Sequence, residues 1–323
     1  MSDFAEYLAK FQSLNCGRGE NHERPHKPVL LLAVLDLAES GRLPTNRITL
    51  SPELLELFRL YFDIVRTPQD QPTAINPFFF LRSDKFWHHQ PRPGHEEIYA
   101  SMRSPGCLAL LTTTVAYAFL DDDLFSAMLD PMMREALRQA LVGRYFAKHR
   151  RAIMQVVERE RQIGLYEQEL EKTIAQSRSS SSKERKLVVR EYGAEVRDTG
   201  FRRLVTRAYD YRCAACGLRV CLDDGRMLVE AAHLIPFAET QDDDPRNGMA
   251  LCKNHHWAMD QFLIAPGTDK IWHVSGKLDD RLEGQQNLLR LRGRSILFPT
   301  ECRYYPRKES LQWRVERLLS ATN

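Results

Sequence analysis

Cys213 and Cys216 are separated by two residues, as are Cys252 and His255, and each short spacing aims two soft ligands at one point. Two such pairs predict a closed tetrahedral zinc site built from Cys213, Cys216, Cys252 and His255. Interleaved with them are His233, Asn247 and His256, and Asp260 stands one helical turn beyond His256. On a helix, residues at i and i+4 share a face, so His256 and Asp260 could both reach one catalytic divalent cation. The adjacent His255 and His256 must point to different faces of that helix. His255 is therefore assigned to zinc, because it completes the second short spacing, and His256 to catalysis, because it pairs with Asp260.

The order AAHLIP around His233, NG at Asn247 and LCKNHHWAMD around His256 resembles HNH endonucleases of the ββα-metal type, in the subgroup braced by a structural zinc. The resemblance implies that His233 ends a β-strand and acts as general base, that Asn247 holds this histidine in place, and that His256 binds the catalytic cation from a helix. The residue types suit phosphodiester hydrolysis. A base near neutral pKa can deprotonate water, and Mg2+, Mn2+ or another divalent cation can stabilise charge on the leaving oxygen. One departure stands out: many members carry an Asp or His metal ligand just before the general base, and this chain has Ala232. Either His256 and Asp260 hold the cation with waters, or Glu230 reaches in, since i and i+2 on a strand share a face.

These residues need elements to position them. Met227 to Ala232 reads as a strand ending at His233, preceded by a helix over about 197–211 whose Arg202, Arg203, Arg207 and Arg212 either lie along DNA phosphates or form an exposed basic face. Asp242, Asp243 and Asp244 read as loop solvation ahead of Pro245. Phe262 to Ala265 and Lys270 to Val274 read as short strands, and a final helix starts near Lys308. The arginine-rich tail is expected both to complete the core and to touch DNA.

With 323 residues, the chain is long enough for two domains, and 43% hydrophobic with 28% charged residues describes an ordinary soluble protein. A formal net charge of +3 says little about nucleic acid by itself. Cys16, Cys107, Cys221 and Cys302 have no disulfide-like pattern, which suits a reducing compartment. No basic-then-apolar leader opens the chain and no apolar run could span a bilayer, so a cytoplasmic protein without membrane contact is expected.

In the first 150 residues, helical periodicity places Phe4, Tyr7, Leu8 and Phe11 on one face, then a helix over Pro28–Ala38, then one capped by Ser51 with Pro52 behind it. Two segments stand out among them. Arg24, His26 and Lys27 crowd a helix start, where unpaired N–H groups could seat a phosphate; a solvated basic loop is the alternative. Asn76-Pro77-Phe78-Phe79-Phe80-Leu81 could form an apolar pocket with a basic rim, or a buried strand or loop. The order HKPVLLLAVL, PFFFLRSDKFWH, MLDP and LRQALVGRYF is similar to the sulfur-binding domain of restriction enzymes that attack phosphorothioate-modified DNA. In that family a small apolar patch beside a proline receives the sulfur. By motif position, the matching residues are Arg24, His26, Lys27, Asn76, Pro77 and Phe78, with Asn76 where some members carry tyrosine.

The expected architecture is α+β. A mainly helical DNA-recognition domain spans 1–150, a helical linker with a serine-rich hinge at Ser177 to Ser182 spans 151–185, and the zinc-braced ββα-metal nuclease spans 186–323. The linker's apolar stripe, Ile153, Val157, Ile163, Tyr166, Leu170 and Ile174, either packs within the chain or pairs with a second copy in a homodimer. The expected activity is cleavage of phosphorothioate-modified double-stranded DNA by a one-metal mechanism. The alternatives are a non-catalytic zinc-containing DNA-binding regulator, and an HNH nuclease reading another mark such as methylated bases.

Overall fold

The computed structural model describes residues 2–19, 22–175 and 192–320. The chain divides into two units, Met1–Arg161 with Cys221–Arg226, and Gln162–Val220 with Met227–Asn323. The expected hinge at Ser177 to Ser182 lies outside the described residues.

The first unit contains α1 (Ser2–Gln12), α2 (His26–Glu39), α3 (Pro52–Val65), α4 (Ile75–Phe80), β1 (Trp87–Pro91), α5 (Glu96–Ser101), α6 (Leu108–Thr114), β2 (Val115–Leu120), α7 (Asp122–Leu129) and α8 (Pro131–Tyr145). It also holds the start of α9 (Arg150–Ala175). Helix α2 is apolar nearly all round, and such a helix must be buried on every side. Lys27 through Ala38 are buried, and α3, α7 and α8 pack around it. The starts of α3 and α8 follow from local chemistry. Ser51 accepts from the Leu54 N–H at 3.2 Å, and Asp130 accepts from Met132 and Met133 at 2.9 Å, each ahead of a proline in the first turn. The Asn76 to Leu81 segment forms neither strand nor loop: it is the short helix α4 leading into a 3-10 turn.

A buried acid, Asp36, interrupts the apolar face of α2, and its partner is equally buried. The Arg138 guanidinium lies 3.1 Å from Asp36, 2.5 Å from Glu39 and 2.7 Å from Glu135, while the Tyr61 hydroxyl donates to Asp36. Burial pushes the Asp36 carboxyl up to about 6, against the pull of Arg138. Removing one partner of such a pair strands the other in a low-dielectric interior. Arg138→Ala is therefore expected to destabilise the first unit by about 3–5 kcal/mol in chemical denaturation; a loss below about 1 kcal/mol would show that water reaches the site.

The second unit holds the rest of α9, then α10 (Ala194–Ala208), β3 (Val229–His233), α11 (Phe237–Thr240), β4 (Gly248–Cys252), α12 (Lys253–Asp260), β5 (Ile264–Pro266), β6 (Trp272–Val274), α13 (Gln286–Leu289) and α14 (Lys308–Ser320). Strands β3 and β4 pair antiparallel in the register Val229↔Cys252 to His233↔Gly248, and α12 follows β4 directly. Phe201, Val205, Ala232, Leu234, Met249, Leu251, Met259 and Trp272 form the core beneath. Ile163, Tyr166 and Leu170 of α9 make a smaller cluster with Val196 and Leu204 of α10, so this half of the helix expected to be a linker is a packed element. Among the described residues, no helix is long and apolar enough to cross a membrane.

Candidate active site

The antiparallel register of β3 and β4 sets the site's length. His233 sits at one end opposite Gly248, and Cys252 sits at the other opposite Val229. From Cys252, the first turn of α12 carries His255 back toward the loop of Cys213 and Cys216. The ligand atoms of Cys213, Cys216, Cys252 and His255 all lie within 4.8 Å of one another. A tetrahedron with bonds of ~2.3 Å has edges of about 3.8 Å, so this cluster fits one ion with modest contraction. The turn through Cys216 closes with the Gly217 N–H on the Cys213 carbonyl at 2.8 Å, and Gly217 adopts φ +73°. A side chain there would be strained, so glycine is what this knuckle requires. The Cys252 thiol is pulled down to about 3, first by its hydrogen bond with Cys213 and then by His255, while the Cys213 thiol is pushed up by Cys252 and by burial. Thiolate is the ligand form of cysteine, so a bound dication would displace the thiol protons of the cluster.

Tyr166, Asp243 and Arg197 surround His233. His233 Nε2 lies 2.9 Å from Asp243 Oδ1, and Asp243 Oδ2 accepts from the Tyr166 hydroxyl and from Arg197, both at 2.8 Å. The Phe201 ring stacks on the imidazole with centroids 3.9 Å apart and planes within 4°. Expectation and structure part here. Asp243 and Asp244 are each only 2% exposed, so the three consecutive aspartates are not loop solvation. Asp242 pairs with Arg307, Asp243 with Arg197, and Asp244 with Arg246 at 2.6 Å. The arginines of α10 are similarly committed. Arg203 is 2% exposed and Arg207 faces Glu167 and Glu171, so these side chains do not form a free basic face for DNA.

Asn247 is fully buried, and its contacts go to backbone rather than to the His233 ring. Its Oδ1 accepts from the Ile235 N–H at 3.0 Å, and its Nδ2 donates to the carbonyls of Ile235 at 2.9 Å and Asp242 at 3.1 Å. It thus ties the chain leaving His233 to the loop carrying Asp243. His256 stands between two acids, with Nδ1 3.2 Å from Glu230 Oε2 and Nε2 3.4 Å from Asp260 Oδ2. Ala232 is fully buried in the core. Arg314, absent from the sequence reading, is 2% exposed and donates to the carbonyls of Met259 at 3.0 Å and His233 at 2.8 Å, with Asp260 Oδ1 at 3.4 Å. Arg314 is one of three basic residues on α14, with Lys308 and Arg317, and spacing alone does not single it out.

Residues 213–265 match the HNH endonuclease family model. That stretch contains the Cys3His cluster together with His233, Asn247, His256 and Asp260. No curated protein matches the chain. Among solved structures, a chain described as "Modification dependent TagI restriction endonuclease" matches at 19% identity and a TM-score of 0.26, covering 36% of this chain and 36% of that one. The HNH domain's donor sets differ in kind: three sulfurs and an imidazole could hold a soft tetrahedral ion, whereas imidazole plus carboxylate suits a harder, oxygen-seeking cation.

In the first unit, Arg24, His26, Lys27, Asn76 and Pro77 line one cavity of about 530 Å³, joined by Asn15, Cys16, Phe80 and Ser83. Phe78 is not among them. It is 2% exposed, stacked on His89 at 5.4 Å and edge-on to Trp87 at 5.5 Å. Helical spacing in α4 explains the difference: Pro77 and Phe80 are three apart and share the cavity face, while Phe78 turns inward. Phe80, 40% exposed, is the aromatic the cavity receives. Lys27 is engaged by Asp84 at 2.6 Å and by Ser83 at 2.9 Å, and burial lowers the His26 pKa despite its bond to the Gln71 carbonyl.

Cys216→Ser is expected to lower bound metal from about one ion per chain toward none, measured by elemental analysis, because three ligands rarely retain a structural ion. Because thiol ligands must shed their protons to bind a dication, metal affinity should weaken as pH falls, checked by calorimetry in buffers of different ionisation enthalpy. Full metal retention in Cys216→Ser would remove this residue from the ligand set.

Proposed function

We propose that this chain is a modification-dependent DNA endonuclease of restriction type: the first unit recognises phosphorothioate-modified double-stranded DNA, and the HNH domain hydrolyses phosphodiester bonds. The observation that carries the cleavage reading is the arrangement around His233. One ring nitrogen is held by Asp243, the other has no hydrogen-bond partner among the described residues, and the Arg314 guanidinium binds both the His233 carbonyl and the Asp260 carboxylate. A free imidazole nitrogen next to a carboxylate–imidazole pair is what metal-assisted hydrolysis requires.

In this mechanism, His233 Nδ1 takes a proton from the water whose oxygen attacks phosphorus. A divalent cation such as Mg2+ or Mn2+, when bound, supplies positive charge to the leaving oxygen. His256 and Asp260 would hold it. Glu230 accepts from His256 Nδ1–H and so keeps Nε2 available, which is the outer support that a metal-binding histidine commonly has. This assigns Glu230 a supporting role where many family members place a ligand at the position of Ala232. Cys213, Cys216, Cys252 and His255 would hold zinc, which would brace the fold around β4 and α12 without chemistry of its own.

For recognition, the chemistry of the cavity favours sulfur over oxygen. Sulfur is larger, more polarisable and a poorer hydrogen-bond acceptor than oxygen, so an apolar wall penalises it less. Pro77 and Phe80 supply that wall, and Arg24, exposed at the cavity, supplies charge for the phosphate. Lys27 contributes little free charge because Asp84 neutralises it.

A phosphorothioate duplex is expected to bind at least about tenfold more tightly than the same unmodified duplex, a difference of ~1.4 kcal/mol. Phe80→Ala should erase most of that preference without unfolding the chain, whereas Phe78→Ala should cost about 3–5 kcal/mol of stability. Equal affinity for both duplexes would refute the sulfur reading and leave methylated bases or plain sequence as the target. Metal-dependent nicking should disappear in His233→Ala with zinc content unchanged; cleavage that survives would refute the mechanism, and its absence in the unaltered protein would favour a DNA-binding regulator.

A further inference from the structure

Asp243 lies in the loop between α11 and β4, in the middle of three acids that sequence alone assigns to solvent. Instead, its side chain is 1% exposed and makes three hydrogen bonds: to His233 Nε2 at 2.9 Å, to the Tyr166 hydroxyl at 2.8 Å and to Arg197 at 2.8 Å. Burying a carboxylate costs several kcal/mol unless it is paired and hydrogen-bonded, so such a group persists where its partners repay it. Arg197 offsets the charge and is itself held over the Phe237 ring at 4.2 Å. Its neighbours hold the loop on both sides, Asp242 through Arg307 and Asp244 through Arg246.

We infer that Asp243 is the positioning carboxylate of the His233 imidazole, with Tyr166 and Arg197 fixing which of its oxygens the histidine sees. This rests on the proposed nuclease reading for its catalytic meaning, but not for its structural content. Oδ2 is occupied by two donors, the hydroxyl and the guanidinium, which leaves Oδ1 to accept Nε2–H from the histidine. Neutral imidazole carries one proton, so a proton fixed on Nε2 makes Nδ1 the basic nitrogen. Phe201, stacked within 4° of the ring plane, and Arg314, bonded to the His233 carbonyl, restrict the remaining rotations. When Nδ1 takes a proton from water, the imidazolium forms against a carboxylate that is already in place, which is electrostatic preorganisation. Tyr166 belongs to α9, so the helix that sequence assigns to a linker contributes to the base's support.

The isosteric variant Asp243→Asn separates this role from packing. Arg197 and Tyr166 both donate, so the amide oxygen must turn toward them and the amide NH2 toward His233. Nε2 then becomes the acceptor and the proton moves to Nδ1, the tautomer that cannot act as base. The experiment uses the full chain with 15N-labelled histidine, the His233 signals being assigned by their loss in His233→Ala. Imidazole 15N shifts of the unaltered protein should report protonated Nε2 and bare Nδ1, and those of Asp243→Asn the reverse. Cleavage by Asp243→Asn should lose about 10²- to 10⁴-fold in kcat with little change in KM, zinc content should be unchanged, and Asp243→Glu should recover part of the loss. A protonated Nδ1 in the unaltered protein, or an unshifted tautomer in Asp243→Asn, overturns the inference. The tautomer is read without DNA. A flipped tautomer in a chain that never cleaves therefore upholds Asp243 and overturns the nuclease reading, whereas full cleavage by Asp243→Asn overturns Asp243 alone.

Discussion

The pairing of β3 with β4 is the constraint on which the second unit's chemistry depends. Five residue pairs in strict register put Cys252 and His233 at opposite ends of a two-stranded ribbon, about 13 Å apart at ~3.3 Å per residue. A two-stranded sheet this short is marginal in water and needs help from both ends. At one end the Cys3His cluster ties the Cys213 loop to the start of α12. At the other, Asn247 and Asp243 tie the loop between the strands to the residues that follow and face His233. A slip of one residue would turn His233 to the opposite face and separate Cys252 from Cys213, so one register serves both the Cys3His cluster and the base proposed at His233.

Three adjacent aspartates illustrate how the polar end is held. Like charges on neighbouring residues repel, and a loop carrying them would ordinarily extend into solvent. Each instead points to a different arginine, and those arginines come from α10, from the loop itself and from just before α14. The loop is therefore fixed by ion pairs in three directions, two of them made by carboxylates 1% exposed, where such pairs are least screened. For the base proposed at His233 this geometry matters, because an imidazole displaced by even 1 Å would lose much of its efficiency.

Sequence carried much of this and missed the rest for identifiable reasons. The Cys213, Cys216, Cys252 and His255 spacing is local, since two short knuckles each encode their own geometry, and the structure does bring those four residues together. The helix opened by Ser51 is similarly local, because cap and proline are adjacent in the chain. Asp243 reads from sequence as loop solvation because its partners, Tyr166, Arg197 and His233, lie 77, 46 and 10 residues away, and no periodicity announces a contact between helices and a loop. Motif position points to Phe78 while Phe80 lines the cavity, because a run of three phenylalanines has no polar alternation to show which side faces inward; the helical form of α4 decides it.

His256 gives the sharpest view of how a departure from a family pattern can be accommodated. Ala232 is fully buried, so a carboxylate there would have to reach out of the core to meet a cation. Two residues earlier on the same strand, Glu230 is half exposed and sits 3.2 Å from His256 Nδ1. The two acids flank the imidazole through different nitrogens. Glu230 makes a well-formed hydrogen bond to Nδ1, whereas Asp260 lies 3.4 Å from Nε2 as a close ion-pair contact. Among the described residues the only cluster of three or more convergent ligand atoms is the Cys3His set, so Glu230 and Asp260 do not converge with His256 on a single point. In the proposed site the lost ligand would be compensated through orientation: a carboxylate that fixes the Nδ1 proton leaves the Nε2 lone pair free and makes it a stronger ligand for a cation held beside Asp260. The proposed site would have few protein ligands, which suits a cation that keeps several of its own waters.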